Sequence, residues 1–345
     1  MRDYFEQRIR DEIDAEGEVT VAGRTWPNSH VFENMDKPDF DAHIEEVVQE
    51  KVAEAKLKAQ EILEATGCVQ RFKLLCEKQA QGRVMPFVGA GMSMPSGFKS
   101  WRQLLKDLCV DSPALLERIK ARIKAFEYEE AAQDICDTLG ADALHHDIDA
   151  HLGINGFELA GPIRLLPKCF GSGCITTNLD RVLERVYTDA ANPFIDRVWG
   201  QRLKQQQGFI NPDENKLFKL HGTADEGGDR VLTRQEYEQT YGNDIALRTV
   251  LDRLMCNRHM LFLGCSLGVD RTVQAIAELK QQAGAVYPQH FAFLPLYEDT
   301  DREARRIELG AANISPIWFP DSDELDQSDS LEALLVTLTE GGLDA

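Results

Sequence analysis

Two glycines directly after an apolar run are the first residues of this sequence that could hold a ligand. The run VMPFV at 84–88 has the length and composition of a short buried strand, and Gly89-Ala90-Gly91 follows it at once. Glycines here would let the main chain approach a pyrophosphate, and free amides at the start of a following helix attract anions. The same spacing also occurs in tight connections that bind nothing. Met94 replaces the last glycine of the usual dinucleotide fingerprint, which disfavours a hydride-transferring Rossmann enzyme.

Polar side chains follow two further apolar runs. Asn178 and Asp180 come after CITT at 174–177, and His221 comes after LFKL at 217–220. The carboxyl ends of parallel strands meet at the edge of the sheet where ligands bind. Asn and Asp are also favoured helix caps, so we expect one of the two to cap the next helix and the other to contact ligand. A buried histidine that only bonds a carbonyl is the alternative for His221.

The charge balance restricts the partners that this chain can bind. Among 345 residues, 58 Asp and Glu oppose 38 Lys and Arg, giving a net charge of -20. Such a surface repels phosphate backbones, so we expect no direct nucleic-acid binding. A phosphate-bearing ligand would be held locally, by backbone amides and a few placed cations. The sequence has no signal-peptide pattern and no window of roughly 20 apolar residues, which predicts a cytoplasmic protein without membrane contact.

The cysteines and histidines predict no metal site. Eight cysteines are scattered, mostly through apolar segments, as is typical of reduced thiols in a core. No two of them have Cys-x-x-Cys spacing, and the histidines form no metal-ligand pattern.

Short apolar runs alternate with helical patterns from residue 84 onward. The remaining runs are MLFLG at 260–264, HFAFLPL at 290–296 and ISPIWF at 314–319. This alternation predicts an α/β fold, a Rossmann-like parallel sheet with helices on both faces. Residues 38–80 are rich in Ala, Glu, Lys and Leu at helical spacing. We therefore expect an N-terminal helical extension, a main domain and a helical insertion within it, with the bounds 1–80, 81–345 and about 103–165.

The segment from Gly89 to Arg102, GAGMSMPSGFKSWR, resembles the NAD-binding motif of the sirtuins without a gap. The glycines, Ser93 and Arg102 match. Ser100 stands where the family has an acidic residue, and Trp101 replaces its Phe.

Three further segments resemble sirtuin motifs in the expected order: TTNLD at 176–180, LHG at 220–222 and LGCSLG at 263–268. The resemblance covers about residues 83 to 320 and implies an NAD-binding domain. It implies NAD contacts for Gly89, Ala90, Gly91, Ser93, Trp101, Arg102, Thr177, Gly264, Ser266 and Asp270. Ser266 and Asp270 could instead be only turn and cap residues.

The interval between the second and third of these motifs lacks the zinc module of deacylating sirtuins. Residues 223–263 contain one cysteine, Cys256, too few for a four-thiolate site. The chain is therefore similar to the zinc-free, sirtuin-like NAD hydrolases of bacterial antiphage defence.

That resemblance implies that NAD is the substrate and that Asn178 and His221 carry its hydrolysis to nicotinamide and ADP-ribose. Asn178 would hold the water or the ribose hydroxyls, His221 would accept a proton, and Asp180 would orient one of them. An imidazole with an ordinary pKa of about 6.5 suits this role. The resemblance also implies a silent resting state, controlled by homo-oligomerisation or by a separate activator or partner protein, with the N-terminal extension as the expected contact.

Three alternatives remain open on sequence. The chain could be a non-catalytic NAD or ADP-ribose sensor, a zinc-free NAD-dependent deacylase or ADP-ribosyltransferase, or an interaction subunit with a structural NAD site. The sequence does not choose between free ADP-ribose and a cyclised product.

Overall fold

The computed structural model describes residues 1–21, 23–200, 202–203, 214–242, 245–255, 258–268, 271–283, 287–321 and 327–343. Its strands are β1 Glu18–Val21, β2 Arg24–Pro27, β3 Val84–Val88, β4 Cys174–Thr176, β5 Asp196–Val198, β6 Lys216–Lys219, β7 His259–Leu263, β8 His290–Leu296 and β9 Ile314–Pro320. Its α-helices are α1 Arg2–Ala15, α2 Asn28–Met35, α3 Lys37–Thr66, α4 Val69–Ala80, α5 Trp101–Asp107, α6 Pro113–Lys124, α7 Tyr128–Leu139, α8 Ala141–Leu152, α9 Leu166–Cys169, α10 Val182–Asp189, α11 Arg234–Tyr241, α12 Ile245–Met255, α13 Arg271–Ala283, α14 Arg302–Ala311 and α15 Gln327–Thr339.

Seven strands form one sheet in the order β5-β6-β4-β3-β7-β8-β9, and every neighbouring pair is parallel. The predicted Rossmann-like α/β fold is confirmed. Within this sheet β3 comes first along the chain, and β4, β5 and β6 lie on one side of it. The later strands β7, β8 and β9 lie on the other side. The order therefore reverses between β3 and β7, which is where parallel sheets of this kind bind ligands.

The long helix α3 buries one face in the same core as the sheet. Asp36 starts it by accepting the amide of Asp39 at 3.2 Å, and Gly67 ends it in a left-handed conformation with φ +66°. Phe40 and Ile44, four residues apart on one face, are fully buried. This face packs against β9 and α15, so α3 is part of the main hydrophobic core.

The helical insertion covers one part of the carboxyl edge of the sheet. Its helices α7 and α8 contact the segment that follows β6. The side chain of Gln133 accepts the amide of Gln235 at 3.0 Å, and the buried guanidinium of Arg230 lies 3.2 Å from Nδ1 of His145. Within the described residues, no helix combines the length and apolar character needed to cross a membrane.

His290, at the start of β8, gives the fold a dependence on pH. The residue is fully buried, and its Nδ1 accepts the amide of Met260 at 3.0 Å. Burial, aided by the nearby His259, lowers the pKa of His290 to about 3. In the unfolded chain His290 binds a proton below about pH 6.5, whereas in the folded chain it stays neutral until near pH 3. Its contribution to the free energy of unfolding is therefore complete above about pH 6.5 and is lost as the pH falls.

We expect His290→Asn to weaken this acid sensitivity, because an amide oxygen can accept the Met260 amide without titrating. The free energy of unfolding of the wild type should fall by about 2 kcal/mol more than that of the variant between pH 7 and pH 4.5. Urea unfolding of both proteins at the two pH values measures the difference. Equal losses would show that His290 does not titrate on unfolding.

Candidate functional site

The four sequence motifs lie at one edge of the sheet. Val88 pairs with Thr176 and with Leu263, and Thr176 pairs in turn with Lys219. Neighbouring strands lie about 4.8 Å apart. The residues that come next along these strands therefore form a single row: Gly89, Thr177, Leu220 and Gly264.

The glycine turn after β3 packs main chain to main chain against the turn after β7. The amides of Gly89 and Gly91 donate to the carbonyls of Leu263 (2.8 Å) and Gly264 (3.0 Å). A Cβ on Gly89 would lie 2.5 Å from the carbonyl oxygen of Gly264, and one on Gly264 would lie 2.5 Å from the amide nitrogen of Met92. The two loops can approach this closely only because these positions carry no side chain.

The chain after these glycines differs from the predicted strand, turn and helix. Two 3-10 turns, Ala90–Met92 and Met94–Ser96, come first, and α5 begins only at Trp101. The amides of Met92 and Ser93 bond to carbonyls within the first turn. A diphosphate held here would therefore use other donors than these amides.

Asn178 is buried and fixed on two sides. The hydroxyl of Thr176 donates to the carbonyl of Val88 at 2.7 Å and accepts the Asn178 amide at 2.9 Å, which ties the end of β4 to β3. Nδ2 of Asn178 donates to the hydroxyl of buried Ser93 at 3.2 Å. Its Oδ1 is buried and has no hydrogen-bond partner among the described residues. A buried acceptor left open at a strand end is what a ligand hydroxyl or a water would satisfy.

Asp180 precedes α10 and bonds the amide of its first residue. Its Oδ1 accepts the amide of Val182 at 3.0 Å, at the start of α10. Burial raises the pKa of Asp180 above the ordinary Asp value, while the charge of Lys219 and hydrogen bonds from the Val182 amide and Ser93 oppose that rise. Of the pair, Asp180 bonds the first amide of α10, although the N-cap position is Arg181, and Asn178 has the open atom. The catalytic role predicted for Asp180 stays a prediction.

Lys219, which the sequence analysis did not single out, stabilises the turn after β4 that carries Asn178 and Asp180. Its side chain is 1% exposed. The ammonium donates to the carbonyl of Asp180 at 2.6 Å and to the carboxylate of Glu184 at 3.1 Å. The end of β6 is thereby bonded to the turn that carries Asn178.

We expect Lys219→Met to destabilise the fold by about 3 kcal/mol, because it leaves the Glu184 carboxylate without its buried partner. Lys219→Met with Glu184→Gln should recover part of this loss, since no unpaired charge remains. Arg185→Met is the control: it breaks an exposed pair with Asp189 on the same helix and should cost less than about 0.5 kcal/mol. Urea unfolding measures these losses in the free energy of unfolding. Similar losses in the Lys219 and Arg185 variants would contradict a stabilising role for the buried Lys219–Glu184 pair.

His221 lies two residues after the end of β6, the strand next to the one that Asn178 follows. Its carbonyl accepts the amide of Val231 at 2.9 Å, and the ring of Tyr237 meets its imidazole edge to face, with 5.7 Å between centroids. Nε2 is buried and has no hydrogen-bond partner among the described residues. Burial lowers the pKa of His221 to about 4, below the ordinary value assumed from sequence. The imidazole is therefore neutral at pH 7 and able to accept a proton, although it is a weaker base than a free imidazole.

Tyr237 is a second residue that the sequence analysis missed. The guanidinium of Arg271 lies over its ring, 4.8 Å from the centroid. Arg271 also pairs with Glu129 of α7 at 2.9 Å. The capping box of Thr233 and Glu236 fixes the start of α11. The local sequence predicts this helix, but only the tertiary structure shows which ring it brings to His221.

Comparison with known proteins shows what this part of the molecule is similar to. Residues 172–317 match the profile of a family described as SIR2-like domain. The match begins before β4 and ends within β9, so it includes the turns of Asn178, His221 and Gly264 and leaves the Gly89 turn outside.

The relatives of this chain include three curated proteins, each named NAD(+) hydrolase ThsA. The protein from Cytobacillus dafuensis is 24% identical over 251 residues, which covers 69% of this chain and 46% of the relative. The protein from Enterococcus faecium is 25% identical over 205 residues, covering 57% and 39%, and that from Acinetobacter baumannii (strain 532279) is 23% identical over 184 residues, covering 52% and 36%. The chain thus spans less than half the length of these relatives.

The other residues predicted to contact NAD are less closely grouped. Trp101 is half-buried at the start of α5, and Arg102 beside it is exposed. Ser266 is exposed, and its carbonyl accepts the guanidinium of Arg305 at 2.9 Å. Asp270 lies outside the described residues.

Ser100, where the sirtuin motif has an acidic residue, caps α5 by accepting the amide of Gln103 at 3.3 Å. Among the residues that the structure describes, no group of three or more His, Cys, Asp or Glu side chains could hold a metal ion. Cys256, in the interval where sirtuins have their zinc module, lies outside the described residues.

Proposed function

We propose that this chain is an NAD hydrolase that cleaves the nicotinamide–ribose bond and releases nicotinamide and ADP-ribose. The observation that carries the proposal is a pair of open, buried atoms, Oδ1 of Asn178 and Nε2 of His221, on adjacent strand ends. They lie at the same sheet edge as the glycine turns of β3 and β7. The relatives named NAD(+) hydrolase support this reaction.

The chemistry asks little of the protein beyond orientation. The bond from the ribose C1′ to the pyridinium nitrogen breaks, and its electron pair neutralises the nicotinamide, which leaves without needing a proton. Positive charge develops on the ribose, and a water oxygen bonds to C1′. In our proposal, Oδ1 of Asn178 accepts a hydrogen bond from that water or from a ribose hydroxyl. Neutral His221 accepts the proton that the water loses and returns it to solvent.

Incubation of the purified chain with NAD alone tests the proposal. Chromatography should show nicotinamide and ADP-ribose in equal amounts without an acyl peptide or a protein acceptor. A chain that binds NAD without consuming it would be a sensor or an interaction subunit. A chain that consumes NAD only with a peptide acceptor would be a deacylase or transferase. A cyclised ADP-ribose would keep the bond cleavage and replace water by an internal nucleophile.

We also propose a role in antiphage defence, with activity controlled by oligomerisation or by a separate activator. Within the extension of residues 1–80, α3 is packed into the core, whereas the hairpin β1–β2 has exposed residues on β2, including Trp26. The hairpin is therefore the segment we propose for contact with another copy or a partner. Replacing residues 18–27 with a Gly-Ser linker should change the sedimentation of the protein or its basal NAD hydrolysis. If neither changes, the hairpin has no such role.

A further inference from the structure

Four cations surround a cavity of about 370 Å³ between helices α5 and α6 of the insertion. On α5, Arg102 and Lys106 are four residues apart, and on α6 so are Lys120 and Lys124, so each pair lies on one face of its helix. The described residues that line it are Arg102, Lys106, Lys120, Ile123, Lys124 and Phe126. None of these described lining residues is acidic, although the chain as a whole carries a net charge of -20.

These cations are mostly available to a ligand. Lys120 pairs with Glu117 at 2.7 Å. Arg102, Lys106 and Lys124 have no carboxylate within ion-pair distance among the described residues. Three positive charges without a described ion-pair partner repel one another, so bringing them together costs stability that a bound anion would restore.

Phe126 forms an aromatic wall of the cavity and shows which loop the cavity adjoins. It is 47% exposed and has a left-handed backbone with φ +61°, which is unusual for a residue with a side chain. A Cβ on Gly268 would lie 3.4 Å from its ring, so the cavity adjoins the loop that follows β7. We expect that loop to hold the adenosine end of NAD.

We propose that this cavity binds a phosphorylated nucleotide through its lysines and arginine, with a base or sugar against Phe126. Its volume lies in the range of small-molecule sites. Lys and Arg are the usual phosphate-binding side chains, and an exposed aromatic face favours a ring-bearing phosphate ester over a bare inorganic anion. The phosphate comes from one of two sources: a separate nucleotide, or an extra phosphate on the dinucleotide itself, as in NADP. The NADP source rests on the proposed NAD hydrolysis; nucleotide binding does not.

Calorimetry with pyrophosphate and with ADP, at low salt and without NAD, tests the binding. Lys120→Gln with Lys124→Gln should weaken ADP binding by about tenfold or more. Lys73→Gln, an exposed lysine on α4 away from the cavity, should change it by less than about twofold. Thermal unfolding at the wild-type temperature shows that the variants are folded. No binding of either probe at millimolar concentration, or equal weakening by the Lys73 variant, overturns the proposal.

Two further measurements identify the source of the phosphate. If the double variant raises KM for NADP and leaves KM for NAD unchanged, the cavity takes the extra phosphate of the substrate. If ADP binds equally well with saturating NAD present, the ligand is a separate nucleotide. If the protein does not hydrolyse NAD but the double variant still binds ADP more weakly than the wild type, the proposed function is wrong and the proposed nucleotide site is supported.

Discussion

His221→Ala and Asn178→Ala should each slow NAD hydrolysis by about 100-fold or more while the chain stays folded. The first removes the proposed proton acceptor, and the second removes the open oxygen that we propose positions the water or the ribose. His146→Ala is the matched control, because this histidine is exposed on α8 and should leave the rate unchanged. Product chromatography gives the rates, and circular dichroism confirms folding. Wild-type rates in both site variants would exclude this pocket as the site of hydrolysis.

The pH profile of the wild type gives an independent reading of the same residue. A base works only when deprotonated, and burial holds the pKa of His221 at about 4. Activity should therefore stay level as the pH falls from 7 to about 5 and decline only near pH 4. An acid limb near pH 6.5 would instead indicate a solvated histidine and would contradict the burial of Nε2 in the free enzyme.

Gly264→Ala should destabilise the chain by about 4 kcal/mol or more and abolish NAD binding. Its φ of +64° already disfavours a side chain, and the new Cβ would lie 2.5 Å from the amide nitrogen of Met92, which is main chain and cannot swing aside. The overlap would push apart the turns after β3 and β7, where we place the dinucleotide.

Gly67→Ala is the control for backbone strain alone. Gly67 has nearly the same φ, +66°, at the end of α3, and a Cβ there would meet nothing within 4 Å. This variant should lose about 1 kcal/mol and keep its NAD binding. Urea unfolding and NAD titration of both variants make the comparison. Equal destabilisation would show that the two loops do not press on each other as the structure indicates.

The sequence predicted the central sheet well because fully buried parallel strands are continuous apolar runs. All six predicted runs became strands β3, β4, β6, β7, β8 and β9. It missed β5, whose three residues, Asp-Arg-Val, form a polar strand at the edge of the sheet. It also missed the hairpin β1–β2, where β2 is exposed and so leaves no alternating apolar pattern.

The candidate site was predictable in its residues and less so in their surroundings. Strand-end positions placed Asn178 and His221 at one edge, as the register of β4 and β6 confirms. Sequence could not decide which of Asn178 and Asp180 bonds the start of α10, because both residue types commonly do so. It could not foresee Lys219, since lysines are rarely buried, or the low pKa of His221, since burial is a tertiary property.

Because the turns of Gly89 and Gly264 contact each other, one part of the carboxyl edge of the sheet is more rigid than the other. Between β3 and β7, main-chain hydrogen bonds join the loops directly, so neither can shift without carrying the other. On the His221 side, the covering segment is attached to the insertion by side-chain contacts such as Gln133 to Gln235. A ligand bound at this edge would therefore displace the insertion and the segment after β6 more easily than the paired glycine turns.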